Sequence, residues 1–360
     1  MPRKAAIRAE AERLLALFTA AGATPVDEDI LQPAETLLDL YGEDIRARAY
    51  VTADPLRGEQ MLRPDFTVPV VQRHMAAGAG AARYCYAGEV FRRQEYDADR
   101  ANEYQQVGYE VFDRADPAAA DAEVFALMAE IVAPLGLRAA TGDIGILMAA
   151  VQGLQTTDAR KAALMRHIWR PRRFRALMDR FAGRVPLSSA RQSLLAGQGP
   201  EVTAPHIGRR SLREIEARLA VLHADAEAAP ISGDEVMLVN ALLGVRETLP
   251  YALEQLRDLS VDLPAIATAV TRLSARADAL AARGVDVAAL PFEANYGRTS
   301  MEYYDGFVFG FYAEYRADLP PVVTGGRYDA LTRRLGAGAE IPAVGGVLRP
   351  DLMLVLEAQS

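Results

Sequence analysis

With 360 residues, 51% of them hydrophobic and 24% charged, the chain has material for one large or two ordinary domains around a sizeable core. That balance excludes the disordered and collagenous classes. The net charge of −8 counts only slightly against nucleic-acid binding, because an acidic protein can still present a basic face.

A single cysteine, Cys85, excludes an internal disulfide framework and a cysteine-based zinc cluster, and it fits a reducing cytoplasm. The opening run MPRKAAIRAEAERLL sets Glu10 and Glu12 among its apolar positions, so it lacks the unbroken apolar core of a signal peptide. No charge-free apolar run approaches the ~18 residues of a membrane span, and none is expected.

In chain order, Ile7, Leu14, Leu15, Leu17 and Phe18 near helical spacing, with Gly22 behind them, predict a helix over 4–22. A Pro-punctuated segment follows, TPVDEDILQPAETLLDL, with a strand running into Pro33. Strand-like runs recur at 49–52, 68–71, 84–91 and 104–112. Residues 118–133 read as an amphipathic helix, and LRAATGDIGILMAAV after them as strand-like. From about 155 to 285 alanine, leucine, arginine and glutamate dominate, with Gly/Pro breaks at 183–186, 197–200, 230–233 and 284. This predicts a helical insertion. Its one dense basic run, RHIWRPRRFR at 166–175, reads as a solvated helix face or a salt-bridged connector ahead of an RNA patch. Strand signals return at 303–312, 321–324 and 343–348. Periodicity alone gives only mixed α and β, but long separations between strands and hairpin-like returns around Gly/Asp suggest an α+β fold, an antiparallel sheet flanked by helices. Its core comes in two parts, 1–155 and 286–360, around a mainly helical insertion at 156–285.

The chemistry-bearing residues gather in few places. Holding a free amino acid requires acceptors for its ammonium group, and Asp65, Gln106 and Glu110, with the Thr67 hydroxyl, supply them. Gln106 and Glu110 are four apart and share one face of a strand, and Asp65 and Thr67, two apart, share a face as well. Charge-assisted hydrogen bonds to such carboxylates exceed neutral ones in strength. The other reading of the same four residues is the outward polar face of half-buried strands. No phosphate-binding loop or dinucleotide fingerprint occurs, and no acidic pair precedes a Gly/Thr-rich phosphoribosyl-diphosphate loop. The four histidines, His74, His167, His206 and His223, lack metal-ligand spacing. No cofactor is expected.

Three runs carry a resemblance: MLRPDFTVPVV at 61–71, FRRQEYDADRANEYQQVGYE at 91–110, and TGGRYDALTRRLG at 324–336. An apolar strand entering Arg-Pro-Asp-x-Thr, then Phe-Arg followed by Gln-x-x-x-Glu, resembles the class II aminoacyl-tRNA synthetase core, and histidyl-tRNA synthetase most of all. The resemblance covers roughly 5–150 and 290–357. It implies that Asp65, Thr67, Gln106 and Glu110 hold the ammonium of histidine, while Tyr304 and Tyr328 close on the imidazole. Arg92 falls where class II enzymes grip the α-phosphate of ATP.

Other positions depart from the synthetase pattern. Aligned without gaps, the arginine of its final strand-helix motif falls on Leu352, behind Pro350, whose ring would restrain the start of that helix. The arginine that promotes histidine activation falls on Thr299. Arg298 is next to it but would point to the opposite face of a strand. The glutamate after Phe-Arg becomes Gln94, and the loop from Glu95 to Asn102 is acidic where synthetases are basic. Phosphoryl-type chemistry leans on clustered cations, so adenylation is expected to be lost.

The Asp-x-Thr frame of Leu62-Arg63-Pro64-Asp65-Phe66-Thr67-Val68-Pro69 resembles the paralogous family of ATP phosphoribosyltransferase regulatory subunits, which lack an anticodon-binding domain. That resemblance implies a non-catalytic cytoplasmic regulator in the first step of histidine biosynthesis. It would be a homodimer within a larger hetero-oligomer, activating the short catalytic subunit and relaying feedback inhibition by L-histidine, with no nucleic acid or membrane partner. The alternatives are a truncated or divergent histidyl-tRNA synthetase-like enzyme and a paralogue that acylates other targets.

Overall fold

The computed structural model describes residues 2–41, 48–78, 80–94, 100–198, 208, 210–298 and 303–358. Helix α1 (Lys4–Ala20) buries Leu14 and Phe18 and leads into β1 (Thr24–Pro25). A small antiparallel sheet then forms from β2 (Leu31–Pro33), β3 (Val51–Asp54) and β4 (Gly58–Leu62), with α2 (Ala34–Tyr41) between the first two. Next come α3 (Thr67–Ala76), β5 (Ala82–Phe91) and β6 (Glu103–Phe112). Helix α4 (Pro117–Val132) starts where Asp116 accepts from the Ala119 N–H at 2.9 Å and Pro117 takes a first-turn position that needs no donor. Strand β7 (Arg138–Asp143) follows and passes directly into α5 (Ile144–Gly153).

The stretch rich in Ala, Leu, Arg and Glu holds α6 (Asp158–Arg166), α7 (Pro171–Phe181), α8 (Ser189–Leu195), α9 (Leu212–Glu227) and α10 (Gly233–Gly244). Strand β8 (Arg246–Thr248) interrupts the helices before α11 (Leu249–Asp262) and α12 (Ala267–Ala282). The chain returns through β9 (Pro291–Glu293), β10 (Phe307–Tyr312), β11 (Val323–Arg327), α13 (Asp329–Leu335), β12 (Ala343–Leu348) and α14 (Pro350–Glu357). Among the described residues no helix is long and apolar enough to cross a membrane.

The main sheet runs β1-β5-β6-β12-β11-β10-β7-β9-β8. Its six central strands, β5 to β7 in that order, are all antiparallel, as expected for the α+β class. Helices cover it, so β6 is buried at nearly every position instead of alternating. Behind the sheet lies an ionic cluster. Asp121 of α4 accepts from Arg276 of α12 at 2.7 Å and from Arg327 of β11 at 2.7 and 3.0 Å. Arg276 also reaches Asp143 at 2.9 Å, and Arg327 reaches Asp329 at 2.9 Å. This cluster ties α12, from the helical stretch, to the strand that ends at the Tyr328 turn.

One expected strand is a helix, and a second, over 137–151, is a strand only as far as Asp143. Val68–Val71 belong to α3, and Ile144–Val151 to α5. The β-branched residues in each run favour a strand only weakly, and packing overrides that preference. Pro69 is tolerated because the N–H groups of a helix's first turn have no intrahelical acceptor to lose. Strand β10 begins at Phe307, so Tyr304 precedes it instead of lying within it. Arg298 lies in a turn, and its expected strand-face argument does not apply. Pro350, expected to hinder α14, occupies its favourable first turn.

Candidate functional site

The site is built on one face of β6 and its neighbours. Gln106 and Glu110 point the same way, as their spacing predicts, and are 4% and 1% exposed. Register sets Glu110 opposite Gly345 of β12, and Gly345 opposite Gly326 of β11. A Cβ on Gly345 would lie 1.5 Å from Glu110 Oε2, and one on Gly326 would lie 2.7 Å from the Tyr304 ring. The missing side chains make a shallow trough, and the acidic and aromatic groups lie in it. Gly345→Ala should therefore force Glu110 aside and lower stability by about 1–3 kcal/mol, as overpacking does. Thermal unfolding of the purified variant measures this, and an unchanged melting temperature would contradict the packing described.

The wall opposite comes from the LRPDFT segment. Arg63 is buried and donates to the carbonyls of Glu89, at 2.8 Å, and Glu28, while its guanidinium stacks over Phe66 at 4.0 Å. Phe66 in turn stacks on Tyr86, centroids 4.3 Å apart. Arg92 Nε donates to the Pro64 carbonyl at 2.7 Å. These bonds fix the loop so that Asp65 and the first helical residue, Thr67, both face the trough. They do not share a strand face, as the sequence spacing suggested; the turn into α3 brings them together instead.

One cavity is thus lined by Asp65, Thr67, Arg92, Gln106, Glu110, Tyr304 and Tyr328, the six residues expected to hold histidine and the one expected at the vestigial nucleotide site. Glu110 is its centre. It accepts from Tyr328 OH at 2.6 Å, Tyr86 OH at 2.9 Å and Thr67 Oγ1 at 3.1 Å. Burial pushes its carboxyl up to about 7; the three hydroxyl donors pull against that, and the nearby Asp65 charge adds to it. Gln106 Oε1 is buried without a hydrogen-bond partner among the described residues. An acceptor-rich, cation-poor interior of this kind suits a ligand that brings N–H donors and positive charge. The free space is only about 30 Å³, room for a water or two, so an amino acid fits only after lining side chains move.

Tyr86 and Tyr303 also belong to the site, although neither was expected there from the sequence. Tyr86 bonds Glu110, and Tyr303 OH lies 3.4 Å from Thr67 Oγ1. The signal for Tyr86 was Gly108, which sits between Gln106 and Glu110 on the same face; a Cβ there would lie 2.1 Å from the Tyr86 ring. Tyr304 is also held from outside, because the Trp169 indole N–H donates to its carbonyl at 3.3 Å.

The family model described as histidyl-tRNA synthetase matches residues 1–196 and 201–352. An ATP phosphoribosyltransferase regulatory subunit from Brucella ovis is 30% identical over 93% of both chains. Another, from Rhizobium etli, is 31% identical over 92% of this chain and 93% of the relative. The chain belongs to the histidyl-tRNA synthetase-like family of ATP phosphoribosyltransferase regulatory subunits. Among solved structures, a Bacillus halodurans ATP phosphoribosyltransferase regulatory subunit/histidyl-tRNA synthetase aligns with TM-score 0.68 at 19% identity, over 98% of this chain and 79% of that one. A histidyl-tRNA synthetase from Nostoc aligns with TM-score 0.63 at 16% identity, over 98% of this chain and 71% of that one. These two likenesses show the shared class II synthetase-like fold.

The family's cation positions can be followed on this scaffold. Leu352 is 6% exposed and belongs to the hydrophobic core. Arg298 is buried, donates to the Ile168 carbonyl and Asn295 Oδ1, and stacks over Phe174. It is absorbed in packing the helical stretch. Gln94 Nε2 donates to the Ala101 carbonyl at 3.2 Å, closing the base of the acidic loop. Thr299 and residues 95–99 lie outside the described residues. Arg92 is the only cationic side chain among the described residues that line the cavity.

Proposed function

We propose that the cavity binds free L-histidine and that the chain acts as a regulatory sensor, not as a catalyst. The observation that carries this reading is Glu110. A fully buried carboxylate ringed by Tyr86, Tyr328 and Thr67 hydroxyls, with Asp65 and Gln106 beside it, suits an amino-acid ammonium group. Tyr304 and Tyr328 supply aromatic walls for an imidazole. With Leu352 in the core and Arg92 as the sole described cation, the site lacks the charge that pentavalent phosphorus chemistry demands, so no histidyl-adenylate forms. The names of the relatives, ATP phosphoribosyltransferase regulatory subunits, support a catalytic ATP phosphoribosyltransferase subunit as the partner, and in this reading it is the short form. The chain activates it and conveys feedback inhibition by histidine in the first step of histidine biosynthesis, as a cytoplasmic homodimer within a larger hetero-oligomer. In this reading 156–285 is an insertion between two parts of one core, 1–155 and 286–360.

Two measurements on the purified chain test the site. Calorimetry should show saturable binding of L-histidine, and histidine-dependent ATP–pyrophosphate exchange should be absent. Robust exchange would overturn the non-catalytic reading. Binding should also tighten as pH rises through about 7, because a cationic ammonium displaces the proton that burial keeps on Glu110. Titrations in buffers of different ionisation enthalpy should show proton release below that pH. The imidazole of the ligand titrates in the same range. Glu110→Gln, which cannot ionise, separates the two contributions by removing the protein's share.

A further inference from the structure

A second cluster of charge, outside the lining of the trough, sits in the helical stretch. Arg160 of α6, Arg180 of α7 and Arg191 of α8 converge on a single carboxylate, Asp225 of α9. Arg160 Nε lies 2.7 Å from Oδ1, Arg191 Nη2 lies 2.9 Å from Oδ2, and Arg180 Nη2 stands off at 3.9 Å. Three positive charges thus share one negative charge. Arg160 is further satisfied by the carbonyls of Ala229 and Asp225, at 2.7 and 2.6 Å. Arg180 and Arg191 are less well served, since the buried Nε of each has no acceptor among the described residues. Partial burial, and then the neighbouring Arg191 charge, hold the Arg180 guanidinium below the usual arginine range.

Beside these two arginines opens a cavity of about 390 Å³, within the range of small-molecule sites. Arg173 adds a third guanidinium to its wall; it is exposed and makes no ion pair among the described residues. Leu177, Pro186 and Leu187 give an apolar side. The site therefore has two halves, one of planar cationic forks and one suited to a flat apolar body. Guanidinium forks match phosphate oxygens two at a time. We propose that this cavity binds a phosphorylated small molecule of nucleotide size, with its phosphates on Arg173, Arg180 and Arg191 and an apolar ring against Leu177 and Pro186. An extended nucleic acid fits less well, because it tracks a broad basic surface and gains little from a concave apolar wall.

The protein carries its own reporter. Trp169, its only tryptophan, lies two residues from the cavity-lining His167 and also donates to the Tyr304 carbonyl, so the Arg173→Ala and Arg180→Ala variants assign its signal to this cavity and not to the trough. Its fluorescence should follow titration of the full chain with ATP, pyrophosphate or adenosine, with calorimetry as the second readout. ATP should bind saturably below ~1 mM, pyrophosphate more weakly and adenosine weakest. Arg180→Ala and Arg173→Ala should each weaken ATP binding at least ~10-fold, the loss of one charge-assisted contact. Arg173 is exposed, so its replacement leaves the fold intact. Arg184→Ala, outside the lining, should change nothing. No saturation by ATP, or ATP binding that survives both Arg173→Ala and Arg180→Ala, would overturn the assignment. So would adenosine binding as tightly as ATP, or an RNA hairpin binding where ATP does not. Pyrophosphate matching ATP would overturn the role given to the apolar wall.

Discussion

Glu110→Ala should weaken L-histidine binding by roughly 10- to 150-fold, equivalent to ~1.5–3 kcal/mol, while leaving assembly with the catalytic partner intact. The expectation follows from what the carboxylate touches. It is 1% exposed and takes hydrogen bonds from Tyr328, Tyr86 and Thr67, so it faces a closed interior and not a surface where a partner could dock. A ligand ammonium would exchange those neutral donors for a charge-assisted one. Alanine also strands two buried tyrosine hydroxyls, and some loss of stability accompanies it. Glu110→Gln keeps an acceptor in place and serves as the folded control. Calorimetry on both variants reads the effect. Wild-type affinity in Glu110→Ala would place histidine elsewhere.

The largest loss of stability should come from Asp121→Ala. Asp121 is 2% exposed and bonds both Arg276 and Arg327, which are 4% and 7% exposed. Removing one member of a buried ionic cluster leaves charge without compensation and costs on the order of 3–5 kcal/mol. Asp143 and Asp329 still pair with the two arginines, so the effect should fall toward the lower end of that range. Urea unfolding gives the number directly. By contrast, Glu103→Ala breaks only the exposed pair with Lys4, whose side chains are 47% and 78% exposed, and should leave the transition where it is. Equal midpoints for Asp121→Ala and wild type would show that the cluster contributes nothing.

How much of this was legible in the sequence differs from residue to residue. The period-2 rule alone put Gln106 and Glu110 on one face, because β6 is regular over ten residues. Asp65 and Thr67 reached the right cavity by a wrong route. The run TVPVV has strand-like composition, and only the tertiary contacts of Arg63 and Arg92 show that it is a loop entering a helix. Tyr304 and Tyr328 came from the resemblance. Single tyrosines carry no pattern, and Tyr86 was missed for the same reason, although Gly108 marked its place. Asp121 was readable in principle. It falls on the stripe of α4 that carries Phe125 and Met128, at helical spacing, where a carboxylate needs buried partners. Those partners, Arg276 and Arg327, are far away in sequence, and no local signal reports them.

In the proposed function, this cavity senses histidine on behalf of another protein's active site. A ligand can shift such an equilibrium only through unequal affinity for its two states. The most direct test is the rate of phosphoribosyl transfer by the short catalytic subunit reconstituted with this chain, followed across a histidine titration for wild type and Glu110→Ala. Both chains should activate the catalytic subunit, histidine should inhibit with the wild type, and the variant's curve should be displaced roughly 10- to 150-fold to higher histidine. Superimposable inhibition curves from two folded, assembled chains would contradict it.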